Sequence, residues 1–338
     1  TILPTDTHIM NFFVDGERIW ASTSVGLALI NSENNFAIYN LLIDFNKGKS
    51  QLVEGLMCAT SFNPLTGDSL LICGSYSKQI FLFDKNRKLF TRKFIYDGKS
   101  LDDLNYGVFY NFFVTDNILW LSTDRGLSKL NINKQDSYTF LIPETKNEDG
   151  STLLIKKVVA SNDNDDIVWL LVGLSNGYIL KYNLKTKSII KKIDKKGESY
   201  SQLLCKDGFL WAIRNTGIDK FNEQGNLLAT YGRNNAQAFS VYKGKQDIIW
   251  IGTEYGLESF DTKTHKTAQY NYSFKGTPIE DLSFTQSFIV NNIVEDLNGL
   301  LWLSSVKYGL FSFNPNTHIY KAFRQPSNLL YEVKNRCT

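Results

Sequence analysis

Ile19-Trp20-Ala21-Ser22-Thr23-Ser24-Val25-Gly26-Leu27 sets an aliphatic residue and a tryptophan ahead of small and polar residues, then a glycine and a new apolar run. The phrase returns at Trp120, Trp169, Trp211, Trp250 and Trp302, which accounts for all six tryptophans of the 338-residue chain. A seventh copy keeps the frame without the ring, at Leu70-Leu71-Ile72-Cys73-Gly74-Ser75, ahead of Ile80-Phe81-Leu82-Phe83-Asp84. With Leu71 in the tryptophan's place, successive copies lie roughly 40 to 50 residues apart, the period of a solenoid, an array or a propeller. Within each copy the apolar residues alternate with period two and are rich in Ile, Val, Phe, Tyr and Trp, as in half-buried strands.

The last copy shows its parts most clearly. Ser287 to Val294 is an apolar run, Asp296 to Gly299 a turn, Leu300 to Ser304 the tryptophan strand, Gly309 to Phe313 a third strand and Ile319 to Phe323 a fourth. Four antiparallel strands per unit make a propeller blade, so the sequence predicts an all-β, seven-bladed propeller in one domain. The approximate blades are 8–40, 52–93, 108–142, 154–193, 200–231, 237–271 and 286–324, with a tail at 325–338. A ring leaves few free sheet edges. Its closure, by strand exchange between the terminal blades or by packing alone, is open at this level, and Asn328 to Lys334 is apolar enough to add a strand.

Asp15-Gly16, Asp207-Gly208 and, less cleanly, Asp116-Asn117 read as two-residue hairpin turns. Gly26, Gly126, Gly177, Gly217, Gly256 and Gly309 recur after the tryptophan strand, where a side chain would block a tight turn. Trp20, Leu71, Trp120, Trp169, Trp211, Trp250 and Trp302 are expected to wedge between neighbouring blades, a ring of this size burying about 150 to 250 Å². These residues specify the fold and not a ligand.

A hydrophobic content of 43% suffices for a substantial core, and the net charge of +3 is spread along the chain. Lys191, Lys192, Lys195 and Lys196 are interrupted by Asp194, so no clustered basic face for nucleic acid is present. No stretch reaches the roughly 18 apolar residues that span a bilayer, and no charged-then-apolar leader is seen, so no membrane insertion by this segment is expected. Cys58, Cys73, Cys205 and Cys337 lack metal-type spacing. Cys58 and Cys73 fall nearly opposite on one hairpin, as a cross-strand disulfide or, the favoured reading, as two small buried thiols.

Chemistry is sparse. His265 and His318 sit in turns between third and fourth strands, and His8 is near the terminus. Asn162-Asp163-Asn164-Asp165-Asp166 has alternating oxygen ligands but lacks the central Gly and twelfth-position Glu of a calcium loop, and reads as a polar turn. No phosphate loop, nucleophile elbow or His-x-x-x-His pair occurs. The sequence therefore predicts no catalytic residue, no metal and no cofactor.

The repeat resembles the two-component regulator propeller repeat. The residues that carry this are Ile249-Trp250-Ile251-Gly252-Thr253-Glu254-Tyr255-Gly256-Leu257-Glu258-Ser259-Phe260-Asp261, Leu119 to Asn131, and Asn291 to Trp302. Blade two departs in lacking Trp, and blades four and five carry Val172-Gly173-Leu174 and Ile213-Arg214-Asn215 where the family has Gly-Thr. The resemblance implies the periplasmic sensor region of a Bacteroides-type hybrid two-component system, with its histidine kinase outside this segment. It further implies an oligosaccharide ligand from polysaccharide breakdown and a homodimer formed through the full-length sensor. A scaffold that binds no ligand is the alternative, and a propeller lyase a more distant one.

Sugar recognition needs amides, carboxylates, Arg and aromatic faces. On one end of such a propeller the turns after the tryptophan strands supply Tyr76, Lys78, Asp124, Arg125, Asn176, Arg214, Asn215, Glu254, Tyr255, Lys307 and Tyr308. Inter-blade loops on the same face add Asp102, Asp103, Asn105, Tyr106 and Tyr110.

Overall fold

The burial pattern separates two kinds of strand. Tryptophan strands such as Ile167–Val172 and Ile248–Thr253 are buried along almost their whole length, whereas the outer strand Ser188–Ile193 alternates exposed and half-buried positions. The first kind is covered on both faces, and the second meets water on one face. The computed structural model describes residues 9–15, 18–30, 36–39, 41–44, 49–52, 56–62, 70–75, 80–94, 109–115, 118–123, 126–131, 137–140, 154–161, 164, 166–173, 177–195, 197–245, 247–271, 288–305 and 309–323.

Six sheets contain four strands each, taken in chain order and paired antiparallel. One further sheet has six strands, which corrects the expectation of four in every unit. Leu41–Asp44 and Lys49–Leu52, which the repeat places in an inter-blade loop except for Leu52 at the expected start of the second blade, pair as a hairpin. Its first strand lies parallel to Leu89–Phe94, with Leu42 beside Phe90. The run Leu41-Leu42-Ile43 thus covers an outer edge that would otherwise present unpaired backbone groups.

The first strands of the sheets form the inner wall: Ile9–Asp15, Leu56–Phe62, Phe109–Thr115, Ile155–Ala160, Tyr200–Lys206, Ala238–Lys243 and Asn292–Glu295. Each lies beside the next, and Asn292–Glu295 packs against Ile9–Asp15, so the sheets close a ring. The architecture is an all-β propeller. Between the first and last sheets the described residues exchange no strand. The seam is made by Val294, Trp302 and Leu310 against Ile9, Phe12, Ile19, Ala21, Ala28 and Ile30. The Asn292 amide adds hydrogen bonds to Asn11 Oδ1 and to Phe12 O, the latter at 3.4 Å. Asn328 to Lys334 lies outside the described residues.

All six tryptophans are at most 6% exposed, and each enters the cluster of the following sheet. Trp169 packs with Tyr200, Leu210 and Phe221, Trp211 with Ile249 and Phe260, and Trp250 with Leu301 and Phe313. Three junctions repeat an aromatic trio of tryptophan, outer-strand tyrosine and next-sheet phenylalanine. These are Trp20, Tyr39 and Phe83; Trp211, Tyr231 and Phe260; and Trp250, Tyr270 and Phe313, with centroids 5.1 to 6.3 Å apart. Register places Lys129, Lys181 and Lys220 opposite Trp120, Trp169 and Trp211, and each ammonium lies 5.1 to 5.3 Å from the facing ring. Leu71 pairs with Phe83 in the six-stranded sheet.

Turn chemistry follows the sequence. Asp207 and Gly208 have φ of 54° and 76°, as a two-residue hairpin requires. Asp15 ends the first strand, while Gly16 and Asp116-Asn117 lie outside the described residues. Between third and fourth strands, the side chains of Asp84, Asn183, Asp261 and Asn314 each accept two backbone N–H groups. Each such turn ends on a residue with positive φ: Lys88, Lys187, His265 or His318. His265 and His318 are therefore turn residues, and they pack on Tyr231 and Tyr270 with centroids 4.5 and 4.9 Å away.

The recurrent glycine has two different reasons. Gly256 has φ of 123°, a conformation side chains resist, whereas at Gly217 a Cβ would meet Arg214 Nη2 at 2.6 Å and Tyr231 O at 2.9 Å. In the cysteine hairpin Cys58 pairs with Gly74 and Cys73 with Ala59, one step from direct opposition. Cys205 is a free thiol, pushed up to about 12 by burial and by the charge of Glu223.

Candidate ligand-binding face

The turns after the tryptophan strands are built by the strands' last residues. Thr253 Oγ1 donates to Gly256 O at 3.1 Å and accepts from Tyr255 N at 3.1 Å, and Thr23 does the same around Gly26. The threonine of the Gly-Thr pair thus caps its own turn and presents the two residues between it and the glycine. In this way Glu254 and Tyr255 reach the surface, Tyr255 being 55% exposed. Glu254 accepts from Gln237 N at 3.1 Å, which ties the turn to the incoming inter-blade segment.

In the fifth sheet Arg214 takes the threonine's place and a different support appears. Its guanidinium donates to Asp219 Oδ1 at 2.8 Å and Oδ2 at 3.1 Å, to Thr216 Oγ1 at 3.0 Å, and pairs with Glu198. Tyr200 Oη at 3.0 Å and Thr230 Oγ1 at 2.8 Å also donate to Asp219, and Lys195 lies 3.4 Å away. Burial alone would raise the Asp219 carboxyl, but the Arg214, Thr230 and Tyr200 donors and the Arg214 charge hold it below the ordinary carboxylate value. The Tyr200 hydroxyl is pushed up by burial and by the Asp219 charge.

A second buried pair stands beside the first. Arg233 and Glu258 have side chains 0% and 1% exposed and share two hydrogen bonds, at 3.0 and 2.8 Å. The remaining guanidinium nitrogen donates to Arg214 O, to Ala236 O at 3.3 Å and to Asn215 O at 3.4 Å. Two ion pairs therefore fix the underside of the turn that carries Asn215, whose side chain is exposed.

Of the residues expected to line this face, Asn215, Glu254 and Tyr255 stand on the surface. Arg214 is 3% exposed with its donors committed internally, so it is a strut of the face. Tyr76, Lys78, Asp124, Arg125, Asn176, Lys307 and Tyr308 lie outside the described residues, as do Asp102, Asp103, Asn105 and Tyr106. Tyr110 falls within the inner strand Phe109–Thr115, not in a loop.

Asp219, Arg233 and Glu258 were not singled out from sequence. The signal for Asp219 and Glu258 was a carboxylate two residues after the recurrent glycine, at third-strand positions filled elsewhere by the buried Ala28 and Ser128, whereas Arg233, just past an outer strand, carried none. At the opposite end, Asn164 Oδ1 accepts from Asp166 N at 2.8 Å, a polar turn. Among the described residues no group of three or more His, Cys, Asp or Glu side chains could hold a metal ion, and no helix is long and apolar enough to cross a membrane.

Comparison with solved structures adds to this geometry. The extracellular domain of a hybrid two-component system from B. thetaiotaomicron superposes with a TM-score of 0.66 at 18% identity, over 95% of this chain and 42% of that one. The extracellular domain of a one-component system from the same organism gives 0.64 at 14% identity, over 91% of this chain and 38% of that one. The WD40 propeller domain of Doa1 gives 0.63 at 11% identity, over 93% of this chain and 95% of that one. These likenesses show a β-propeller. The chain spans about two fifths of the B. thetaiotaomicron domains it resembles. No family model and no curated protein matches the sequence.

Proposed function

We propose that this chain is one seven-bladed propeller of an extracytoplasmic sensor in a hybrid two-component system, its second blade extended by the added hairpin. In this reading it is non-catalytic, and its ligand is an oligosaccharide from polysaccharide breakdown. The observation that carries it is the fold likeness to extracellular domains of such systems, joined to a face whose described surface residues include an amide, a carboxylate and an aromatic ring: Asn215, Glu254 and Tyr255. Those groups suit sugar hydroxyls and the C–H face of a pyranose ring. Two buried ion pairs keep the Asn215 turn in place before binding, which lowers the ordering cost of association. Periplasmic placement, signalling to a kinase outside this segment and a homodimer of the full-length sensor belong to the same proposal.

The test is a thermal-shift screen against oligosaccharides of defined linkage. A ligand at a hundred times its dissociation constant adds about 2.7 kcal/mol, which such a screen resolves. The expected result is a selective shift that Tyr255→Ala abolishes without lowering the stability of the free protein. A second reading, an interaction scaffold, is favoured by Ile190, Leu227 and Leu228 on the outer strands of consecutive sheets, exposed by 49%, 54% and 52%. An inert panel, together with concentration-dependent sedimentation that Leu228→Asp removes, would replace the sensor reading with this one.

A further inference from the structure

The inner strands share an irregularity. In six of them the register slips at one place, between Ile9 and Asn11, Leu56 and Cys58, Phe109 and Asn111, Ile155 and Lys157, Tyr200 and Gln202, and Ala238 and Ser240. Each slip is a bulge, which bends a strand and re-aims a side chain. The residues that follow the slips, with Asn292 of the last inner strand, stand at one level around the central channel.

Side chains at this level hand hydrogen bonds from sheet to sheet. Lys157 Nζ donates to Gln202 Oε1 at 3.1 Å, Gln202 Nε2 to Phe239 O at 2.6 Å, and Ser240 Oγ to Val290 O at 2.9 Å. Asn292 continues the belt to the first sheet.

Charge breaks the pattern. The other belt residues are neutral, but the fourth inner strand carries Lys156 as the extra residue of its bulge and Lys157 immediately after it. The seven residues that follow the slips or match them include no carboxylate; Asp15 and Glu295 lie at the far ends of their strands. Among the described residues, neither lysine has a carboxylate within ion-pair distance, while Lys195, Arg214, Arg233 and Lys245 all do. The Lys157 ammonium uses one of its three N–H groups on Gln202. Burial and the neighbouring Lys156 charge hold its pKa down, to about 8. A half-buried pair of cations that meets no carboxylate among the described residues, on a wall of neutral hydrogen-bonding groups, is costly unless something anionic joins it.

We propose that the channel wall at Lys156 and Lys157 is an oxyanion-binding site, which takes the carboxylate or sulfate group of a small molecule and stands apart from the loop face of Asn215 and Tyr255. Binding is electrostatic and forms no covalent bond.

The test is thermal unfolding of the protein at fixed ionic strength with sodium glucuronate, glucose or sodium sulfate, for the wild type, Lys157→Met, Lys157→Arg and the surface control Lys191→Met. Sulfate stabilises proteins in general, so the readout is the difference between variants. The expected result is a rise of a few degrees with glucuronate and none with glucose, kept in Lys157→Arg and Lys191→Met and lost in Lys157→Met, which unfolds no lower than wild type without anion. A response to sulfate alone, lost in Lys157→Met, assigns the site to a free inorganic oxyanion. Equal anion responses in wild type and Lys157→Met, or no response to either anion, overturn the proposal. Tyr255→Ala leaves this response intact, which separates its failure from that of the oligosaccharide reading.

Discussion

At the residue scale, the charges inside this propeller are the most informative side chains. Leu257 and Phe260 face opposite sides of one strand and enter different clusters, while Glu258, on the same face as Phe260, is 1% exposed where alternation calls for an apolar residue. A buried carboxylate is tolerated there because Arg233 meets it twice and spends its remaining donor on three carbonyls of the adjoining turn. Glu258→Ala leaves the guanidinium buried and unpaired and should cost about 3–5 kcal/mol in urea unfolding. The double replacement Arg233→Met with Glu258→Leu should recover most of that loss and still loosen the Asn215 turn, seen as faster amide exchange at residues 214–216. A double variant as unstable as the single one would show that the pair itself, and not the orphaned charge, carries the stability.

At the element scale, strand and turn identity were legible because they are local: period two, a tryptophan, a glycine and an Asp or Asn at each third turn. The hairpin of Leu41–Asp44 and Lys49–Leu52 was not, since its strand pairs parallel with Leu89–Phe94 far along the chain and carries no repeat signal. The candidate face was legible only as a set of turns. Which turn residues stay at the surface depends on partners such as Asp219, which withdraws Arg214 and leaves Asn215. Glycines separate local need from neighbour contact. A Cβ on Gly252 would strike Ser240 Oγ and come within 2.5 Å of Val290 O, a carbonyl of the segment leading into the next sheet, whereas one on Gly232 meets nothing within 4 Å. Gly252→Ala should therefore lose about 1–3 kcal/mol by overpacking. Gly232→Ala should be neutral or gain about 0.4–1 kcal/mol by stiffening the unfolded chain. Equal effects of the two in denaturant unfolding would contradict this account.

At the scale of the whole molecule, each tryptophan belongs structurally to the sheet after its own, so the ring is a chain of overlapping clusters. Trp302 is the member whose following sheet is the first one. Trp302→Ala should cost about 3–5 kcal/mol. It should also speed amide exchange at Ile9–Asp15, while Trp169→Ala should act instead on Tyr200–Lys206. Exchange that rises uniformly around the ring in both variants would mean that the junctions are not separable.

The seam has a mechanical consequence. A strand shared between terminal sheets would resist tension through a ladder of backbone hydrogen bonds that must shear together. Here the first and last sheets are joined by side-chain packing and the Asn292 amide, without a backbone ladder among the described residues. With no such ladder among the described residues, tension applied at residues 9 and 323 is expected to part the ring first at this joint, blade from blade.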